Sequence, residues 1–248
     1  MNEFVTKGPG FFGKVRTHGD FVTRRLPAGF VAPWDACLQQ GTLFAQRRLG
    51  AQWLPMYLNM PVWCFALGAG ICGESVWAGV LMPGVDRVGR YFPFTIAAPV
   101  AVGDAAAWLG GAQSWYDEAT RRALSTLADD FVLKRFDMEL DAWGPLHVAP
   151  SARVAWRLGL GGQAQQQAGP ALGENDGSDV EQPGAVRDGF ADALADHAAA
   201  GSSAWWTEGS SAVPPALLGG PGLPDGERFV GLLGEAPNGW QSIVKLRR

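Results

Sequence analysis

Between residues 62 and 100 the chain carries three runs with almost no polar interruption: Val62-Trp63-Cys64-Phe65-Ala66-Leu67, Ser75 to Leu81, and Phe92 to Val100. Short apolar runs rich in β-branched and aromatic residues, bounded by Gly and Pro, read as strands. Their connections, Gly68 to Gly73 and Pro83 to Arg90, are too short for a parallel crossover, which needs about a dozen residues, so the three strands form an antiparallel meander. Polar residues do not alternate with apolar ones, so both faces of the sheet are expected to be covered.

Elsewhere the apolar spacing is helical. Pro33-Trp34-Asp35 reads as a helix start, with Pro preset for the first turn and Asp near the positive end. That helix runs to Leu49 and closes at Gly50, with Leu38, Phe44, Ala45 and Leu49 turned inward. Asp104 is placed to cap a helix through Ala128, with Trp108, Ala112, Trp115, Ala119, Ala123 and Leu127 on one face. A further helix spans Phe131 to Trp143, where Phe136 and Leu140 lie four apart. Helices following a meander are its natural cover. The expected fold class is therefore α/β: an antiparallel-rich, mixed central sheet with helices on both faces.

The ends read differently. Residues 1–33 are rich in Gly, Pro and aromatics, and a short strand is expected around Gly10 to Val15. Residues 159–184 hold Gly, Gln, Ala and Pro, no aromatic, and only acidic charges, a composition unable to offset its ordering entropy; they read as a flexible loop. Beyond it a helix over Val186 to Ala199, a strand at Ala204 to Thr207 and a helix opening at Pro224-Asp225 are expected. The reading is one domain over 1–248, with its core in 8–158. Residues 185–248 either complete that domain or form a subdomain.

Composition narrows the functional classes. Eleven Trp and 13 Phe among 248 residues supply ample core, and the net charge of −4 offers no basic stripe for nucleic acid. The N-terminus lacks the unbroken apolar run of a signal peptide and no run is long enough to span a bilayer, so a cytoplasmic location without membrane insertion is expected. Cys37, Cys64 and Cys72 lack CxxC spacing and read as reduced, buried small side chains.

The chemical motifs fail in informative ways. Gly8 to Lys14 nearly matches the phosphate-cradling GxxxxGK[ST] loop, but Val15 stands where the Mg²⁺-binding hydroxyl belongs, and the few residues before it leave little room for its strand. There is no HxxxH, HExxH or Cys–His cluster, and no GxSxG elbow, so neither a metal nor another cofactor is expected and no catalytic residue is assigned. His18 and Asp20 read as loop anchors. Gly84-Val85-Asp86-Arg87-Val88-Gly89-Arg90 joins two apolar strands, where an Asp with two Arg can tie the loop by charge-assisted hydrogen bonds. The same loop, with the His18 loop, can also present a recognition surface. Lys14, His18, Asp20, Asp86, Arg87 and Arg90 are thus the candidate partner-binding or loop-anchoring residues. Two rivals stand beside this reading: a hydrolase gathering His18, Asp20, Asp86 and Arg90 into one cleft, and a regulatory module for a small ligand.

Several ordered motifs resemble the TagF family, also called ImpM, of type VI secretion-associated proteins: Gly10-Phe11-Phe12-Gly13-Lys14, Gly19-Asp20-Phe21, Phe30 to Asp35, and Val85 to Pro93. The match is tight over residues 8–100 and looser through Trp205, Trp206 and Gly222-Leu223-Pro224. The resemblance implies a cytoplasmic accessory protein that restrains secretion after translation by engaging a forkhead-associated scaffold protein. Some relatives carry a fused PP2C-type phosphatase domain. This chain shows none of its metal-binding aspartate pattern, and no phosphatase activity is assigned. The element order is also similar to longin-like and SRX-type regulatory domains.

Overall fold

The computed structural model describes residues 8–100, 113–144, 146, 201–235 and 239–242. In chain order the elements are β1 (Gly10–Gly13), β2 (Val22–Arg24), α1 (Ala28–Leu49), α2 (Trp53–Leu58), β3 (Trp63–Leu67), β4 (Val76–Met82) and β5 (Phe94–Val100). There follow α3 (Gln113–Ser125), α4 (Leu133–Trp143), β6 (Ser202–Thr207), β7 (Ala216–Pro221), α5 (Gly226–Leu232) and β8 (Gln241–Ser242). The strands form one eight-stranded sheet in the order β2-β1-β5-β4-β3-β6-β7-β8. Every described pairing is antiparallel. The expected meander is its centre, and β6 joins the sheet by pairing Cys64 with Trp206 and Phe65 with Trp205.

The unbroken apolarity of the strands has a direct cause: successive side chains point to opposite faces, and both faces are buried. On β4, Val76, Ala78, Val80 and Met82 enter one cluster while Trp77 and Leu81 enter the other. The first cluster is roofed by α3 and α4 through Tyr116, Ala119, Ala123, Phe136 and Leu140. The second is roofed by α1, α2 and α5 through Phe30, Trp34, Leu38, Tyr57 and Phe229. The result is a helix–sheet–helix sandwich.

Trp34 is the centre of the second layer. It is fully buried, stacks parallel to Trp205 at 5.9 Å, and lies 4.7 Å from Phe65 and 5.4 Å from Phe30. Its indole N–H donates to Thr95 Oγ1 at 3.0 Å, so a wholly buried ring leaves no polar atom unpaired.

Several expectations are corrected. α1 begins at Ala28, not at Pro33, which lies inside the helix. The extra turn is held by Phe30, fully buried against Trp34 and Trp77, and that burial outweighs the one backbone hydrogen bond proline forfeits. Asp35 therefore lies beyond the first turn. Leu127 is not inward: α3 ends at Ser125 and Leu127 is 41% exposed. α2, β2 and β7 had no counterpart in the sequence reading. Asp104, Trp108 and Ala112, the 159–184 loop and the Val186 to Ala199 helix lie outside the described residues. No helix among the described residues is long and apolar enough to cross a membrane.

The C-terminal helix forms as expected. Asp225 is its N-cap, with the side chain accepting from Arg228 N at 3.0 Å. Cys37, which donates to Pro224 O at 3.2 Å, sits where α1 meets this capped end.

All three cysteines are free thiols. Burial pushes Cys37 and Cys72 up to about 12, and Cys64 well above the ordinary thiol range. Since the thiolate is the reactive species, the native protein is expected to resist a thiol reagent at mildly alkaline pH and to release three equivalents in denaturant. Prompt labelling of the native chain would contradict the burial described.

Candidate docking site at two clamped loops

The β1–β2 loop and the β4–β5 loop lie side by side at one end of the sheet. β1 pairs with β5, setting Phe12 opposite Thr95, so each loop leaves a strand of the same ladder. Their joint is ionic. Lys14 Nζ donates to Asp86 Oδ2 at 2.7 Å, and both side chains are almost wholly removed from solvent. Arg90 Nε donates to the same oxygen at 2.7 Å, while the backbone N–H groups of Val88 and Arg90 donate to Oδ1 at 3.0 and 2.9 Å. Burial by itself pushes the Asp86 carboxyl up. The hydrogen bonds from Lys14, from Arg90 and from Val88 N–H outweigh it and hold the group well below the usual carboxylate range.

Further bonds knit the loops. Arg87 N–H donates to His18 O at 2.9 Å, Arg90 Nη2 donates to Gly19 O, and Asp86 N–H donates to Arg90 O at 3.0 Å. Gly84 closes the base of the loop: its N–H donates to the Tyr57 hydroxyl and its carbonyl accepts from it, each at 2.9 Å. A Cβ at position 84 would lie 2.4 Å from Phe92 O and 2.7 Å from Lys14 O, both backbone atoms. Gly84→Ala is therefore expected to force the loops apart and lower the melting temperature, whereas Gly89→Ala, with open space around it but a positive φ, should act only through local strain. Equal losses at the two positions would contradict the close approach at Gly84.

Aromatic rings floor the site. Phe21 stacks on Phe12 at 5.6 Å and meets Phe92 edge-on at 4.8 Å, with Lys14 Nζ 4.6 Å from its centroid. Phe21 and Val88 are nevertheless 41% and 66% exposed. The outer surface thus offers two apolar side chains and the exposed guanidinium groups of Arg87 and Arg90 on a fixed frame.

Of the six candidate residues, the structure brings Lys14, Asp86 and Arg90 into one ion cluster, with Arg87 tied to His18 through the backbone. It does not bring the side chains of His18, Asp20 and Asp86 together by hydrogen bonds. His18 Nδ1 pairs with Thr17 Oγ1 at 2.9 Å, and Asp20 Oδ1 accepts from Phe21 N–H at 2.8 Å. Tyr57 escaped the sequence reading because no element was given to residues 53–58. Its four-residue spacing from Trp53, on which it stacks at 5.4 Å, was the available signal.

The TagF N-terminal domain, type VI secretion system-associated, matches residues 10–143, which hold both clamped loops. The chain belongs to the TagF family. Among solved structures it is similar to PA0076 from Pseudomonas aeruginosa PAO1, at 36% identity over 92% of this chain and 95% of that one, with a TM-score of 0.70. A comparison with curated proteins returns no match. Membership in TagF makes this a type VI secretion-associated protein, and Lys14, Asp86 and Arg90 lie within the matched residues.

Proposed function

We infer that this TagF protein is a non-enzymatic, cytoplasmic repressor of type VI secretion that acts by docking on a forkhead-associated scaffold protein of the apparatus. The observation that carries the reading is the fate of Asp86. In an enzyme a carboxylate at this position would need a free oxygen for a substrate, a water or a base; here both oxygens are committed to Lys14, Arg90 and two backbone N–H groups. An acid used this way builds a frame. What the frame presents outward, Phe21, Arg87, Val88 and Arg90, are residue types suited to a protein interface: aromatic and Arg side chains around an apolar patch. Preorganised loops also lose little entropy on docking, which favours binding by this face.

Raising the level of the protein in a secretion-competent bacterium is expected to lower effector export, and its affinity purification should recover the scaffold. Export unchanged at high protein level would overturn the repressor reading.

A further inference from the structure

We propose that Arg87 and Arg90 form a two-guanidinium fork over Gly19 that grips an anionic side chain of the docked protein. This deepens the docking reading above and rests on it. The two arginines approach the same glycine. Arg90 Nη2 donates to Gly19 O, and Arg87 Nη2 lies 3.6 Å from the point where a Cβ of Gly19 would stand. The absence of a side chain at position 19 keeps the space between them clear.

Their charges are not equally spent. Arg90 shares Asp86 with Lys14, so two cations meet one carboxylate. The Arg87 guanidinium has no hydrogen bond or ion pair among the described residues, and the residue is exposed. Arg16, exposed in the same β1–β2 loop, does have an acid, lying 3.6 Å from Asp129. Asp20, next in the chain to Gly19, accepts at Oδ1 from Phe21 N–H. A surplus of positive charge therefore sits at this one spot of a chain whose net charge is −4.

The spot is also held still. Arg87 N–H is fixed to His18 O, and Arg90 is anchored at Nε by Asp86. A planar guanidinium carried on such a loop matches the two oxygens of a carboxylate or phosphate, a geometry lysine does not reproduce. Exposed Val88, next in the chain to Arg87, supplies apolar contact beside the anion. The occupant that fits is a protein segment bearing Asp, Glu or a phosphorylated side chain next to an apolar residue.

The fork can be tested without the scaffold. In the full chain labelled with ¹⁵N, titration with inorganic phosphate and separately with an acetylated Asp-Glu dipeptide should give saturable shifts of the Arg87 and Arg90 Nε–Hε signals and of the Gly19 amide. These shifts should vanish in Arg87→Ala, and comparing the two titrations tells phosphate from carboxylate recognition. No saturable shift with either anion would overturn the fork. With the scaffold, Arg87→Glu should weaken binding about tenfold or more and Arg87→Lys less, both at unchanged melting temperature. Wild-type binding that Arg87→Glu leaves intact would overturn the fork while leaving docking in place. Shifts with the small anions but no scaffold binding would overturn the choice of partner and keep the fork.

Discussion

Trp34→Ala is expected to lower the free energy of unfolding by about 3–5 kcal/mol, the upper range for a single core truncation. The ring lies between α1 and the sheet, touches Phe30, Phe65 and Trp205, and has no exposed surface. Its removal leaves a cavity where helix and strands are both too rigid to collapse. It also takes from the buried Thr95 hydroxyl its indole donor, which places the expected loss toward the upper end of that range. Urea unfolding followed by circular dichroism should show a lower midpoint at unchanged slope. Trp34→Phe should lose less, since most of the area returns and only the hydrogen bond is missing. A loss under about 1 kcal/mol for Trp34→Ala would mean that α1 is not seated on the sheet as described.

Asp86→Ala is expected to destabilise nearly as severely, for a different reason. The substitution strands Lys14, whose ammonium is almost wholly buried and has no other carboxylate within ion-pair distance among the described residues. Arg90 and the Val88 amide lie in an exposed loop and can turn to water; Lys14 cannot. Removing one partner of a buried pair costs far more than replacing both, so Lys14→Met combined with Asp86→Leu should recover much of the stability lost in Asp86→Ala. If the double variant is as unstable as the single, the stranded charge is not the cause.

The same pair sets a pH dependence. Because the folded-state pKa of Asp86 is depressed, its contribution is fully present above the unfolded carboxylate value of about 3.9. It is lost progressively as pH falls below that value toward the folded pKa. The melting-temperature gap between wild type and the Lys14→Met, Asp86→Leu protein should therefore move against the wild type as pH drops through this window, and stay constant above about pH 5. A gap that changes only near neutral pH would point to another group.

The central sheet was legible in the sequence because three continuous apolar runs with short links allow little besides an antiparallel meander. α3 and α4 were legible through Trp115, Ala119, Ala123, Phe136 and Leu140 at helical spacing, although Leu127 continued the pattern past the helix end. The start of α1 was misplaced because proline is a strong local signal, while the burial of Phe30 against Trp77, which overrides it, is a contact between distant segments. β2 and β7 were missed for the same kind of reason. Val22–Arg24 is a strand only because β1 lies beside it, and Ala216–Pro221 has two glycines and a proline that mask its pairing with β6.

At the site, the composition of the Gly84 to Arg90 loop indicated a clamp or a recognition surface, and the geometry accommodates both on different atoms. Asp86 points inward and ties the loops, whereas Arg87 and Val88 point outward. The partner of Asp86 was the hidden part. Lys14 is 72 positions away and drew notice through an incomplete phosphate-loop motif and the TagF-like Gly10 to Lys14 motif, neither of which pairs it with Asp86. Tyr57, which pins Gly84 from α2, carried no motif at all.

Amide hydrogen exchange of the full chain, alone and mixed with the forkhead-associated scaffold, probes the docking face most directly. Slowed exchange confined to residues 16–25 and 84–91 is the expected result. Protection that falls on the outer surfaces of α3 and α4 instead, or no protection in a mixture shown to be associated, would contradict it.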